Sequence, residues 1–232
     1  MQILNSYSSL INRQAVAWGL CFCYAFNELE VKNMKHINVL LAGGASRRFG
    51  EPKAFVKWKG QMFYEWAKKA LGEHTVIISR PEFIDRFQEN GENEVYQDAE
   101  PFQGMGPLAG IYTAFKKTNG DLYTVLSCDT PLIQRRTMLE LERLMTAGTD
   151  AIVPISEGRE QPLIAMYHKR IMPILYDQLS KKRLRISDLL DRISVCYVQA
   201  EEIGADPAEF ININTRDDFR CLEEKTHSFR RD

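Results

Sequence analysis

The residues best suited to chemistry in this 232-residue chain fall in three short segments. The first reads LAGGASRRFGEPK, from Leu41 to Lys53. Gly43 and Gly44 permit backbone conformations and a close approach that side chains would block. Successive N–H groups of such a loop can form an anion-binding concavity. Arg47, Arg48 and Lys53 add fixed positive charge, the guanidiniums for bidentate phosphate contacts and the ammonium as a mobile point charge. A glycine turn beside a solvated basic face is the plain alternative. The turn, serine, two arginines and lysine together, directly behind one apolar run, favour a polyanion site. Neither GxxxxGK[ST] nor GxGxxG is present.

The second segment, VLSCDTPLI, ends a very apolar run at Cys128-Asp129, with Pro131 marking the turn. Asp129 either caps the helix that follows or, with a phosphate loop in the same sheet, holds Mg²⁺, an ion bound by one or two carboxylates plus substrate phosphates. Cys128 reads as a small buried hydrophobe rather than a nucleophile, since no histidine lies near it in sequence. The third segment, DAEPFQGMGPLAG from Asp98, is either a structural turn into a helix or a glycine-lined contact for a base or sugar. A basic run, KKRLR from Lys181 to Arg185, is open between a helix end favoured by its dipole and a site for a phosphate.

These groups need a scaffold, and the patterning supplies one. INVLLA, TVIISR, DLYTVLSCD, TDAIVPI, PLIAMYHKR, VCYVQA and FININ read as strands; the long apolar ones suit a sheet covered on both faces. MFYEWAKKAL, PEFIDRFQEN, GPLAGIYTAFKKTNG, RTMLELERLMTAG, IMPILYDQLSKK, ISDLLDRI and TRDDFRCLEEK read as helices, several with Pro at the start or Gly just past the end. Alternating strands and helices predict an α/β fold with a mainly parallel sheet; the strand–helix–helix–strand order later on leaves room for an antiparallel member. Ligands of such sheets bind at the carboxyl ends of the strands, near a topological switch point, which is where all three segments fall.

The formal net charge of -1 excludes a general nucleic-acid or membrane-surface binder, so affinity for anions must be local. Five cysteines at irregular spacing, without a CxxC pair, argue against a disulfide framework or zinc site and for the cytoplasm. The four histidines form no metal-ligand pattern. Residues 1–33 read as an extension that the domain does not need: AVAWGLCFCYAF is shorter than the roughly 20 residues a membrane span requires. Met34 opens directly on the first strand, and a single domain from 34 to 232 is expected.

LAGGASRRFGEPK resembles the LAGGxSxRxGxxK signature of nucleotidyltransferases that release pyrophosphate. GMGPLAG, LSCDTPLI, YHKR followed by KKRLRISDLL, and FININTRDDF, in this order, resemble the molybdenum cofactor guanylyltransferase family. The resemblance covers nearly all of the chain from Met34. It implies a Rossmann-like three-layer α/β/α fold, GTP and Mg²⁺ as nucleotide and metal, and molybdopterin or its molybdenum form as acceptor. Molybdoenzymes or other cofactor-biosynthesis proteins are implied as partners. By motif, Leu41, Ala42 and Gly43 would contact the nucleotide, with Gly44 in the phosphate cradle. Arg48 and Lys53 would hold phosphates, Asp98 the nucleoside, and Asp129 the Mg²⁺. Asn212 and Asn214 would lie near the acceptor or the metal, and Arg185 in the acceptor half. Pro52 stands where many members have Asp, and NTRDD replaces the commoner NTPED. The first signature is shared with CTP- and ATP-using relatives that act on molybdopterin or sugar phosphates. A non-catalytic nucleotide-binding adaptor is the reading from another class; Lys53 and Asp129 argue against it.

Overall fold

The structure, a computed structural model, describes residues 33–228 except 45, 47 and 48. The fold is that of the unit formed by residues 35–145 and 149–232. Its strands are β1 His36–Leu41, β2 Lys57–Trp58, β3 Gln61–Met62, β4 Thr75–Ser79, β5 Val95–Gln97, β6 Leu122–Ser127, β7 Ala151–Ser156, β8 Arg159–Glu160, β9 Ile164–His168 and β10 Val195–Gln199. Seven of them form one sheet in the order β10-β7-β9-β6-β1-β4-β5, with β8 paired to β7 as its eighth strand. β2 and β3 form a separate antiparallel hairpin.

The apolar runs became the parallel strands. β1 pairs in parallel with β4 and β6, β4 with β5, and β7 with β10. Two strands run antiparallel: β9, which lies between β6 and β7, and the short β8, paired to β7. Within β1, Val39, Leu40 and Leu41 are all buried, as a strand covered on both faces requires. One core, containing Val39, Ile78, Val125, Leu108, Ile111 and Leu175, joins the sheet to helices Pro107–Lys117, Met172–Ser180 and Ile186–Leu190. Helices Phe63–Leu71 and Arg135–Arg143 pack against each other and against the sheet, completing three layers.

The chain runs from β1 to β4 and β5 on one side, then crosses to β6 on the other. The switch point therefore falls between β1 and β6, and the loops after both strands open at the same edge. Two glycines set the approach to that edge. Gly106, with φ of +79°, turns the chain into helix Pro107–Lys117, a conformation that costs other residues strain. Gly110 lets the helix press on β1 and β4: a Cβ there would lie 2.8 Å from Leu41 Cδ2 and 3.6 Å from Ile78 Cγ2.

Two sequence expectations need correction. FININ is not a strand: Pro207–Phe210 is a 3₁₀ turn, and residues 211–214 are extended without a ladder. Phe210 and Ile213 are buried while Ile211 is 38% exposed, so burial recurs every three residues, not every two. Helix Arg135–Arg143 also stops five residues short of the expected end at Gly148. Residues 1–32, with the expected extension, lie outside the described residues.

Candidate active site

Four strand ends and a helix start enclose a cavity of about 630 Å³, within the roughly 300–1,000 Å³ of small-molecule sites. Leu41, Gly43 and Gly44 line it after β1, Ser79 and Arg80 after β4, Gln97 and Asp98 after β5, and Ser127 and Asp129 after β6. Gly104, Gly106 and Gly110 also line it. A second depression of about 660 Å³, at Tyr112, Lys169 and Tyr176, is shallow and has no carboxylate in its wall. The chemistry belongs to the first.

The first loop closes on itself through Ser46, whose φ is +46°. Its Oγ donates to Gly44 O at 3.3 Å and accepts from Lys53 N at 3.0 Å. Its carbonyl accepts from Phe49 N at 2.9 Å and Gly50 N at 3.1 Å. Ala42 is buried and donates its N–H to Ile78 O at 2.8 Å, tying the loop to β4. Arg48, like Arg47, lies outside the described residues.

Lys53 opens a short 3₁₀ turn, Lys53–Phe55, and is itself buried. A buried ammonium needs charge and hydrogen-bond partners, and it has two. Lys53 Nζ lies 2.8 Å from Asp129 Oδ2 and 2.9 Å from Asn214 Oδ1. The side chains of Lys53 and Asp129 are only 10% and 18% exposed. Asp129 does not cap the next helix; its second oxygen, Oδ1, is buried with no hydrogen-bond partner, an anomaly for a carboxylate. Two groups that stand 76 and 161 residues from Lys53 in sequence thus meet at its ammonium.

Asp98 lines the same cavity. Burial pushes its carboxyl pKa up, and the N–H of Gly104, which donates to Oδ2 at 3.0 Å, partly opposes that rise. Cys128 is fully buried and its thiol is pushed up to about 12, mainly by desolvation and then by the neighbouring Asp129 charge. It is a packing residue, not a nucleophile.

The structure brings Gly43, Gly44, Lys53, Asp98, Asp129 and Asn214 to one edge. It leaves Asn212 and Arg185 exposed, outside the hydrogen-bonded cluster. Arg185 is in the basic loop after helix Met172–Ser180, where Gln178 Nε2 donates to its carbonyl at 2.9 Å. Sequence reading missed Ser46 as the clasp of the loop, Ser79 in the cavity wall, and Asp218 beneath Asn214. The last had a signal: Thr215-x-x-Asp218 before a helix is a capping-box spacing.

A mostly parallel sheet carrying a glycine loop, a lysine and an aspartate at its switch point defines a nucleotidyltransferase-type α/β protein. The model of the "MobA-like NTP transferase domain" matches residues 38–194, and the chain belongs to that family. A "Probable molybdenum cofactor guanylyltransferase" of Bacillus subtilis (strain 168) is 87% identical over 199 residues, 86% of this chain and 100% of that protein. One of the same name from Bacillus velezensis is 60% identical over 200 residues, again 86% and 100% of the two chains. Among solved structures, molybdopterin-guanine dinucleotide biosynthesis protein A of Archaeoglobus fulgidus superposes with a TM-score of 0.71 at 26% identity. That match covers 82% of this chain and 98% of the other. No helix among the described residues is long and apolar enough to cross a membrane.

Proposed function

We propose that this chain transfers GMP from GTP to molybdopterin, releasing pyrophosphate and forming the guanine dinucleotide cofactor, within a domain spanning residues 34–232. The observation that carries this reading is the Lys53–Asp129 pair at the end of a nucleoside-sized cavity, in a chain 87% identical to a named guanylyltransferase.

In the proposed reaction an oxygen of the acceptor's terminal phosphate forms a bond to the α-phosphorus of GTP. The bond from that phosphorus to the bridging oxygen breaks, and its electron pair leaves on pyrophosphate. The acceptor phosphate is largely ionised near neutral pH, its second pKa being about 6, so no base is required. Both reactants are anions, and positioning with charge stabilisation supplies the catalysis. The base and ribose lie in the cavity beside Leu41, Ala42 and Asp98. The Gly43-Gly44 backbone cradles phosphate oxygens; Arg48 and Lys53 stabilise charge growing on the leaving group.

The donor set fits Mg²⁺. Asp129 Oδ1 is a buried carboxylate oxygen without a partner, and among the described residues no cluster of three or more His, Cys, Asp or Glu could cage an ion alone. That suits an ion held by one carboxylate and completed by substrate phosphates and water. Asp129 would hold it, and the ion would supply Lewis-acid neutralisation at the α- and β-phosphates.

The test is turnover with GTP, CTP and ATP in turn, each with molybdopterin and Mg²⁺, following pyrophosphate and the dinucleotide product. GTP should exceed the others by about 10²-fold or more, since sites that hydrogen-bond a substrate group reject analogues lacking it. Preference for CTP or ATP would move the chain to a relative of different base choice. No pyrophosphate with any nucleotide would leave a binding adaptor.

A further inference from the structure

Asn214 is an exposed residue near the end of the fold, yet its amide oxygen meets an ammonium buried beneath the first loop. An exposed amide on an irregular segment has little reason to stay there, so the segment must be held. Two anchors hold it. Ile213 is 1% exposed, in a core with Phe49, Val56, Phe63 and Leu222, and its N–H donates to Asp129 O at 2.8 Å; burying such a side chain contributes about 1.5–3 kcal/mol. On the other side of Asn214 stands Asp218. One of its oxygens, Oδ2, accepts from both Asn214 N and Thr215 N, each at 2.8 Å. Asp218 N donates in return to Thr215 Oγ1 at 3.1 Å, completing a capping box at the start of helix Arg216–Ser228.

The cap alone does not account for this arrangement. A capping box satisfies the N–H of the capping residue, here Thr215; the second bond, to Asn214 N, reaches one residue further back, to the group that faces Lys53. Burial raises the Asp218 carboxyl, but the N–H groups of Asn214 and Thr215, the Thr215 hydroxyl and then the Lys53 charge outweigh it and hold the pKa below the usual range. Asp218 is thus ionised and electrostatically coupled to the same ammonium that Asn214 touches.

Taking Lys53 as the phosphate-holding cation proposed above, we infer that Asp218 is a positioning residue that fixes Asn214 against Lys53 and thereby sets where the ammonium stands. Its carboxylate reaches the reaction through Asn214 and touches no substrate. The helix it caps serves as a rigid mount for the site.

The experiment compares Asp218→Ala with Thr215→Ala, which removes the capping hydroxyl and leaves the Asn214 bond intact. Both should lower the melting temperature by similar amounts. Asp218→Ala should lose about 10–100-fold in kcat at saturating GTP, the scale of a misplacement near 1 Å, while Thr215→Ala stays within about twofold of wild type. Asn214→Ala combined with Asp218→Ala should be no slower than Asn214→Ala alone, because the two act as a unit. A second readout needs no turnover: the ¹⁵Nζ resonance of Lys53 should move in Asp218→Ala and not in Thr215→Ala. If Asp218→Ala does not fold, Asp218→Asn replaces it, with the same expectations at reduced size. Equal kcat losses in Thr215→Ala and the Asp218 variant, or an unmoved Lys53 resonance, would overturn the inference and reduce Asp218 to a helix cap. A wild-type protein inactive on every nucleotide would refute the proposed function instead, and the resonance would still decide this question.

Discussion

Lys53 stands between a carboxylate from the end of β6 and an amide from the far end of the chain, and its replacement should separate charge from packing. Lys53→Ala leaves the Asp129 carboxylate with neither oxygen partnered, in a place where that side chain is only 18% exposed. Breaking one side of a shielded pair strands the other charge, so a loss of about 1–3 kcal/mol in urea denaturation is expected, partly relieved by water in the cavity. Activity should fall much further, by about 10²–10³ in kcat, the usual result of removing one preorganised electrostatic contact. Asp129→Ala should lose activity on the same scale and, in addition, weaken the binding of the Mn²⁺–GTP complex to the protein. A fast Lys53→Ala enzyme would remove the lysine from the proposed mechanism. At this scale the sequence singled out groups that the structure gathers at one sheet edge, because glycines, a lysine and an aspartate behind apolar runs carry their chemistry in their type. It was silent about their pairing, since nothing local relates Lys53 to a residue 161 positions away.

At the scale of elements, legibility followed hydrophobic runs. β1, β4 and β6 were readable because each is buried on both faces and so nearly continuous in apolar residues. β5 has three residues, and β2 and β3 have two each, too short to show a period. The hairpin between β2 and β3 turns at Lys59 and Gly60, with φ of +49° and +81°; Lys-Gly is not a pair that announces such a turn. The 210–214 segment failed for another reason: Ile211-Asn212-Ile213-Asn214 alternates in residue type, but burial falls on Phe210 and Ile213 instead. The helix after Gly106 carries a prediction of its own. Gly110→Ala improves helix propensity by up to about 1 kcal/mol, but its methyl would meet Leu41 Cδ2 at 2.8 Å. The contact is with the end of a flexible side chain that lines the cavity, so the cavity is open space into which Leu41 can yield. Thermal stability should therefore change by less than about 1 kcal/mol, while the KM for GTP rises several-fold. Unchanged KM would show that Leu41 moves elsewhere.

At the scale of the whole molecule, His36 offers a titration away from the site that reports on its integrity. His36 opens β1 at the edge opposite the cavity, where its Nε2 lies 2.5 Å from Thr124 Oγ1 of β6 and its Nδ1 lies 3.6 Å from Glu142 Oε1. That second contact has the geometry of an ion pair, but burial, aided by the Arg135 charge, lowers the pKa of His36 to about 4. The ring is therefore neutral at pH 7, and the contact is not a charge pair. The unfolded chain binds a proton near the ordinary value of 6.5 and the folded one near 4, so between those values the unfolded state holds more protons. Stability is fully present above pH 6.5 and declines as pH falls toward 4. A shift of this size, discounted for partial exposure, amounts to about 1–2 kcal/mol lost between pH 7 and pH 5. Asp98 and Glu142, whose carboxyl pKa values are raised chiefly by burial, act in the opposite sense: the folded state keeps their protons longer, so each favours folding as pH falls through the carboxylate range. The histidine should dominate from pH 7 to about 5; below that Asp98 and Glu142 should soften the slope, while Asp177 and Asp218, whose pKa values lie below the usual range, should steepen it. Urea unfolding at a series of pH values should show the decline in wild type and a flatter profile in His36→Gln, with the Asp98→Asn profile keeping the upper slope. An equally steep upper slope in His36→Gln would assign the decline to other groups.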